Sequence, residues 1–259
     1  PRALVVIIYI LAFTPQAAPH MADIQVAEFF SGTQQFTQAA RELGRIARSF
    51  DVANGEPFDL TQPAAFLLGL VVLRRLQRGA LCLLAPCCSS FCWANMGTPL
   101  RSWLPAGDGG VAGVRQGNFL TVRSWLYTIF ARALGAATIL EQPAHRAGTA
   151  MERQPFFQKC IREFHTVWLE VSQDCWGAET RKPTWLYVSH AMPWAWMCEQ
   201  KPEKVDRQNR KKRQLMDISF DESGRKRVSG NAELKNTQHY TKEFGAALLR
   251  SWFVLAGGP

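Results

Sequence analysis

The chain has 259 residues, 47% hydrophobic and 20% charged, which suits a large globular domain with a sizeable core. That composition excludes a wholly disordered, collagenous or coiled-coil chain. Thirty Lys and Arg against 21 Asp and Glu leave a formal net charge of +9, a balance that favours a polyanionic partner.

Ala3 to Phe13 is an apolar run of about eleven residues, shorter than the ~20 that span a bilayer. Arg2 before it, with Ala17 and Ala18 after it, also fits a signal-like segment. Residues 1–20 are expected to stand outside the domain, with no stable membrane association.

From Asp23 onward, strand-like runs alternate with helical patterns. Ile24 to Phe30 reads as a strand ending at Ser31-Gly32, and Thr33 to Leu43 as an amphipathic helix stopped by Gly44. Ile46 to Val52 is a second strand closing on Asp51. Pro63 opens a helix running through Phe66–Leu76, its missing N–H being harmless in a first turn. Gly79 to Ala85 is continuously apolar, as expected of a buried parallel strand. A Gly/Pro-rich loop leads to a long helix from Val114 to Leu134, and Ala136 to Leu140 is a further buried strand ending at Glu141-Gln142-Pro143. A helix over Glu152–Phe164 and strands at Thr166–Val171 and Thr184–Val188 follow. Repeated strand–helix alternation predicts an α/β fold with a mainly parallel doubly wound sheet, all crossovers being parallel. The domain is expected to span residues 21–190, followed by a basic tail with a terminal apolar segment over 191–259.

Seven cysteines include the cluster Cys82, Cys87, Cys88 and Cys92, whose spacing matches no paired CxxC zinc site. Free thiols in a reducing compartment are expected, with no metal. The tail carries Lys201, Lys204, Arg207, Arg210, Lys211, Lys212, Arg213, Arg225, Lys226 and Arg227 against five acids, so it suits phosphate contact or a solvated linker. Trp185, Trp194 and Trp196 suit either base stacking or core packing.

Chemistry-bearing residues gather at strand ends, where open α/β sheets bind their ligands. Gly32 after the first strand lets a ligand approach the backbone and the amides of the next helix. Asp51, some twenty residues on, stands where a ribose-binding carboxylate falls in nucleotide-binding sheets. Cys87 follows Pro86 at a third strand end, where nearby helix amides favour a thiolate. Glu141 closes the fourth.

In order and spacing these stretches resemble the S-adenosylmethionine-dependent C5-cytosine DNA methyltransferases, in a divergent, phage-like or mobile-element-like form. The resemblance rests on Glu28-Phe29-Phe30-Ser31-Gly32, on Asp51 with Pro57-Phe58-Asp59-Leu60, on Ala85-Pro86-Cys87-Cys88, and on Leu140-Glu141-Gln142-Pro143. It covers roughly residues 24–188 and implies a Rossmann-like methyltransferase fold with S-adenosylmethionine as cofactor. Glu28, Phe30, Gly32, Asp51, Asp59 and Pro86 would line the cofactor site, with Phe30 against adenine, Asp51 on ribose and Asp59 on the adenine amino group. Cys87 would be the nucleophile on C6 of a flipped cytosine in double-stranded DNA, with Cys88 a structural neighbour. Glu141 would protonate the base at N3 as the thiolate attacks.

Asp174-Cys175-Trp176-Gly177 through Arg181-Lys182-Pro183-Thr184 is similar to a segment of phage-type members; Arg181 and Lys182, with Lys211, Lys212 and Arg213 of the tail, would contact nucleic acid. DNA binding implies a nuclear or nucleoid location. The chain departs from the family at Gln34 and Gln35, where further glycines are usual, at Ala85 for the first proline and at Gln142 for Asn. The family's Gln-x-Arg-x-Arg signature is not evident. These departures keep open a catalytically inactive, methyltransferase-like nucleic-acid-binding protein, and also an RNA or small-molecule methyltransferase.

Overall fold

The computed structural model describes residues 22–92, 100–101, 104–144, 150–178, 182–200, 216–220, 222, 224, 226–230, 239–255 and 257. Its strands are β1 (Ile24–Phe29), β2 (Ala47–Phe50), β3 (Leu76–Leu84), β4 (Ala137–Pro143), β5 (Val167–Ser172) and β6 (Pro183–Val188). They form one sheet in the order β2-β1-β3-β4-β6-β5. β7 (Met216–Phe220) and β8 (Lys226–Gly230) form a separate antiparallel pair. The helices are α1 (Gln35–Glu42), α2 (Pro63–Arg74), α3 (Ala112–Ala133), α4 (Pro155–Glu163) and α5 (Lys242–Arg250).

β1 pairs in parallel with β2 and β3, and β3 in parallel with β4. Each of these connections carries a helix, as parallel pairing requires. The sheet is mainly parallel as expected, with β6 the exception: it runs antiparallel to both β4 and β5, where a parallel crossover was expected. Only ten residues separate Ser172 from Pro183, and they hold a short 3-10 turn, Gln173–Trp176, in place of a crossover helix. A link that short returns the chain alongside its own strand.

Helices cover both faces of the sheet. On one face α2 and α3 pack through Phe66, Leu70, Leu73, Tyr127 and Phe130 against Ala27, Phe29, Cys82 and Leu84. On the other, Phe36 of α1 and Phe244, Leu248 and Leu249 of α5 pack on Val26, Leu81, Leu83 and Ile139. Central β3 is buried from Ala80 to Leu84, which is why its sequence reads as a continuous apolar run. α5 lies close on α1: a Cβ added at Gly245 would stand 3.1 Å from the Cα of Phe36. That close approach fixes the segment just before α5 over the sheet. No helix among the described residues is long and apolar enough to cross a membrane.

Candidate functional site

Because β1, β2, β3 and β4 run parallel, their carboxyl ends share one edge. The chain leaves β1 for β2 on one side and later enters β3 on the other, so strand order reverses between β1 and β3. Open sheets bind ligands in the crevice at that reversal.

The turn after β1 is backbone-strained. Phe30, Gly32 and Gln34 have φ of 61°, 47° and 60°, a left-handed region that costs a side-chain-bearing residue roughly 1 kcal/mol or more. Gln34 occupies a position suited to glycine, and its side chain offsets the strain. Its Nε2 donates to Asn54 Oδ1 at 2.7 Å and its Oε1 accepts from Ser49 Oγ at 3.0 Å. Asp51 ties the neighbouring strand end to this turn, its Oδ2 accepting from Gly32 N at 3.0 Å and its Oδ1 from Ala53 N at 2.8 Å.

Glu28, on β1, is buried at 1% exposure. Its Oε2 accepts from Thr37 N at 2.8 Å and Thr37 Oγ1 at 2.5 Å, whereas Oε1 has no hydrogen-bond partner. Burial outweighs the Thr37 bonds and pushes the carboxyl up to about 7. Ser31 Oγ is likewise buried without a partner. Asp59 holds its own loop, accepting from Thr61 N and Oγ1 at 2.8 Å, bonds that keep it below the usual carboxylate range. Arg123 of α3 latches the same loop by donating to the carbonyls of Leu60 and Gln62.

Beyond β3, Pro86, Cys87 and Cys88 form the next strand end. The Cys87 thiol is exposed and donates to Ser89 Oγ at 3.3 Å. Cys88 turns inward, its sulfur 3.9 Å from that of Cys92, and this contact, burial and the charge of Glu141 hold its thiol well above the usual range. Arg101, fully buried, clamps the following turn. It donates to the Ser90 carbonyl at 2.9 Å and Ser90 Oγ at 3.0 Å, and stacks 3.8 Å over the Phe91 ring.

Glu141, on β4, points to the same face as Glu28, toward α5. It is 7% exposed, and burial raises its carboxyl while Lys182 and the hydroxyl of Tyr240 pull it down. Tyr240 donates to Glu141 Oε2 at 3.1 Å, and Lys182 Nζ lies 5.1 Å from the centre of the Tyr240 ring. Gln142 faces the other way, its Nε2 donating to the Pro86 carbonyl at 3.0 Å.

The edge therefore brings together Glu28, Phe30, Gly32 and Asp51 on one side of the reversal, and Pro86, Cys87, Cys88 and Glu141 on the other. Asp59 bonds Thr61 within the loop that follows β2. Lys182 stands beside Glu141, inside the site. Arg181, Lys211, Lys212 and Arg213 lie outside the described residues. Of Trp185, Trp194 and Trp196, Trp194 is fully buried with Nε1 on the Leu248 carbonyl, Trp185 is buried and bonds Glu170, and Trp196 is exposed and bonds Ser251. Sequence reasoning missed Tyr240, whose contact joins segments 99 residues apart, and Arg101, which clamps a turn between Ser90 and Asn118. A lone Tyr ahead of an apolar helix, or an Arg in a loop, carries no local signal of such a partner.

Among the described residues, no group of three or more His, Cys, Asp or Glu is placed to hold a metal ion. No protein-family model matches the chain, and no curated protein matches it.

Proposed function

We propose that the protein is an S-adenosylmethionine-dependent DNA (cytosine-5) methyltransferase, its α/β sheet being the Rossmann-like sheet of that class. The observation that carries this reading is the convergence of four strand ends on one edge, with Gly32 and Asp51 on one side of the strand-order reversal and Cys87 and Glu141 on the other.

The residues at the β1 turn fit the cofactor. Buried Ser31 Oγ and Glu28 Oε1 lack partners, as expected where a polar ligand completes the bonding. Asp51 stands at the end of β2 for ribose hydroxyls and Phe30 offers a ring for adenine, with Asp59 on the adenine amino group. When bound, S-adenosylmethionine supplies the electrophilic methyl group. A cytosine flipped from double-stranded DNA enters between Cys87 and Glu141. The Cys87 thiolate adds to C6 while Glu141 delivers a proton to N3, so the ring's electrons collect at C5, which is otherwise a poor nucleophile. After C5 has been methylated, loss of its proton to solvent restores the C5–C6 double bond and expels the thiolate, and N3 returns its proton to Glu141. Exposure favours Cys87 over its inward neighbour Cys88 as the attacking sulfur. Lys182, as Glu141's neighbour, meets the base, while Arg181 and the tail's Lys211, Lys212 and Arg213 meet phosphates.

The alternative of an inactive, nucleic-acid-binding relative draws on one observation. Gln34 fills the β1 turn with a side chain bonded to Asn54 and Ser49, at a position where glycines open the turn in that family. Calorimetry with S-adenosylmethionine separates the two. The methyltransferase reading predicts saturable binding by the full chain, and an absence of binding would leave the inactive relative standing.

A further inference from the structure

Glu141 is met from three separate parts of the chain. Lys182 comes from the start of β6, Cys88 from the loop after β3, and Tyr240 from the segment leading into α5; Glu28 of β1 in turn faces Tyr240. Of these, Tyr240 makes the directed contact, its hydroxyl donating to Glu141 Oε2 at 3.1 Å. Its own ring is fixed in turn. Phe244 packs tilted against it at 5.8 Å, and Thr241, the next residue, caps α5 by accepting from Phe244 N at 3.2 Å. Thr241 also donates its hydroxyl to the Trp176 carbonyl. The phenol is therefore held by α5, and the carboxyl group is held by the phenol.

We propose that Tyr240 is a positioning residue for Glu141: it anchors Oε2, turns Oε1 toward a ligand base, and makes α5 a working part of the site. This rests on the methyltransferase reading for the identity of the base, but the contact itself does not. A phenol that donates to a carboxylate stabilises the ionised form. Tyr240 therefore opposes the upward push that burial gives the Glu141 carboxyl, and helps set the pH at which its proton is lost. Lys182 acts in the same direction through its charge, and Cys88 and Glu28 would act against it when ionised.

The test is a carboxyl titration on the full chain, labelled with carbon-13 at the Glu side-chain carboxyl. The Glu141 resonance is identified by its loss in Glu141→Gln. Tyr240→Phe removes one oxygen and keeps the ring that packs on Phe244. The expected result is a rise in the Glu141 midpoint, with about a tenfold smaller acid dissociation constant, in line with a hydrogen bond to a charged group. Replacement of Tyr240 by 3-fluorotyrosine keeps the side chain and strengthens the donor, so it should lower the midpoint. That second arm decides the question should Tyr240→Phe fail to fold. Midpoints unchanged in either arm would overturn the proposal. In turnover, the alkaline limb of kcat/KM should move up with the Tyr240→Phe midpoint. A parent chain without turnover contradicts the methyltransferase reading alone, because the titration reads the contact without catalysis.

Discussion

Gln142 donates from Nε2 to the carbonyl of Pro86 at 3.0 Å, so the end of β4 holds the loop that carries Cys87. The same amide also bonds the Glu141 carbonyl at 2.7 Å. One buried side chain thus ties the loop that carries Cys87 to the strand that carries Glu141. Gln142→Leu leaves the Pro86 carbonyl unpaired in the interior and should cost about 1–3 kcal/mol in denaturant unfolding. Gln142→Asn keeps the donor on a shorter arm and should cost less.

Asp51 bridges the ends of β1 and β2 through Gly32 N and Ala53 N. Asp51→Ala should weaken S-adenosylmethionine binding by ~1–3 kcal/mol, the scale of leaving hydrogen-bonding partners unpaired. Calorimetry showing unchanged affinity would assign Asp51 to holding the turn alone.

Gln34 provides a separable test of backbone strain. Gln34→Gly and Gln34→Ala both lose the bonds to Asn54 and Ser49, but only glycine relaxes a φ of 60°. The glycine variant should be the more stable of the two by roughly 1 kcal/mol. Equal unfolding midpoints would show that the turn relaxes without strain.

Glu28 makes stability fall as pH rises. Its carboxyl is raised from an ordinary 4.5 to about 7 in the folded chain, so the fold binds this proton more tightly than the unfolded chain does. The contribution is fully present below about 4.5 and is lost as pH rises through about 7. A shift of that size corresponds to about 3 kcal/mol. Glu28→Gln cannot ionise and should flatten the stability profile over this window, as read from chemical denaturation at a series of pH values.

Much of the sheet was legible because buried parallel strands write themselves as apolar runs, as Ala80–Leu84 does. One helix start was marked by proline, at Pro63, whereas the helix expected from Glu152 begins at Pro155. The direction of β6 was missed although its signal was present, since ten residues without a helix cannot carry a crossover. The strand-end residues were legible because each stands beside a Gly, Pro or Asp that punctuates a strand. What joins them was not. Tyr240 lies 99 residues from Glu141 in sequence, and Gln142 lies 56 from Pro86. Such pairs exist only once the sheet order is known. The exposure of Cys87 and the inward turn of Cys88 likewise follow from the path of a loop, which two adjacent cysteines cannot announce.

If Cys87 attacks C6 of a flipped cytosine, DNA carrying 5-fluorocytosine traps the attack in the presence of S-adenosylmethionine. Fluorine at C5 blocks the final elimination, so an attacking sulfur stays covalently bound. A denaturation-resistant protein–DNA adduct is expected with the parent chain and with Cys88→Ser, and none with Cys87→Ser, because a hydroxyl is far less nucleophilic than a thiolate. An adduct that survives Cys87→Ser but disappears in Cys88→Ser would give the chemistry to the inward sulfur. No adduct with the parent chain would contradict the C5 mechanism itself.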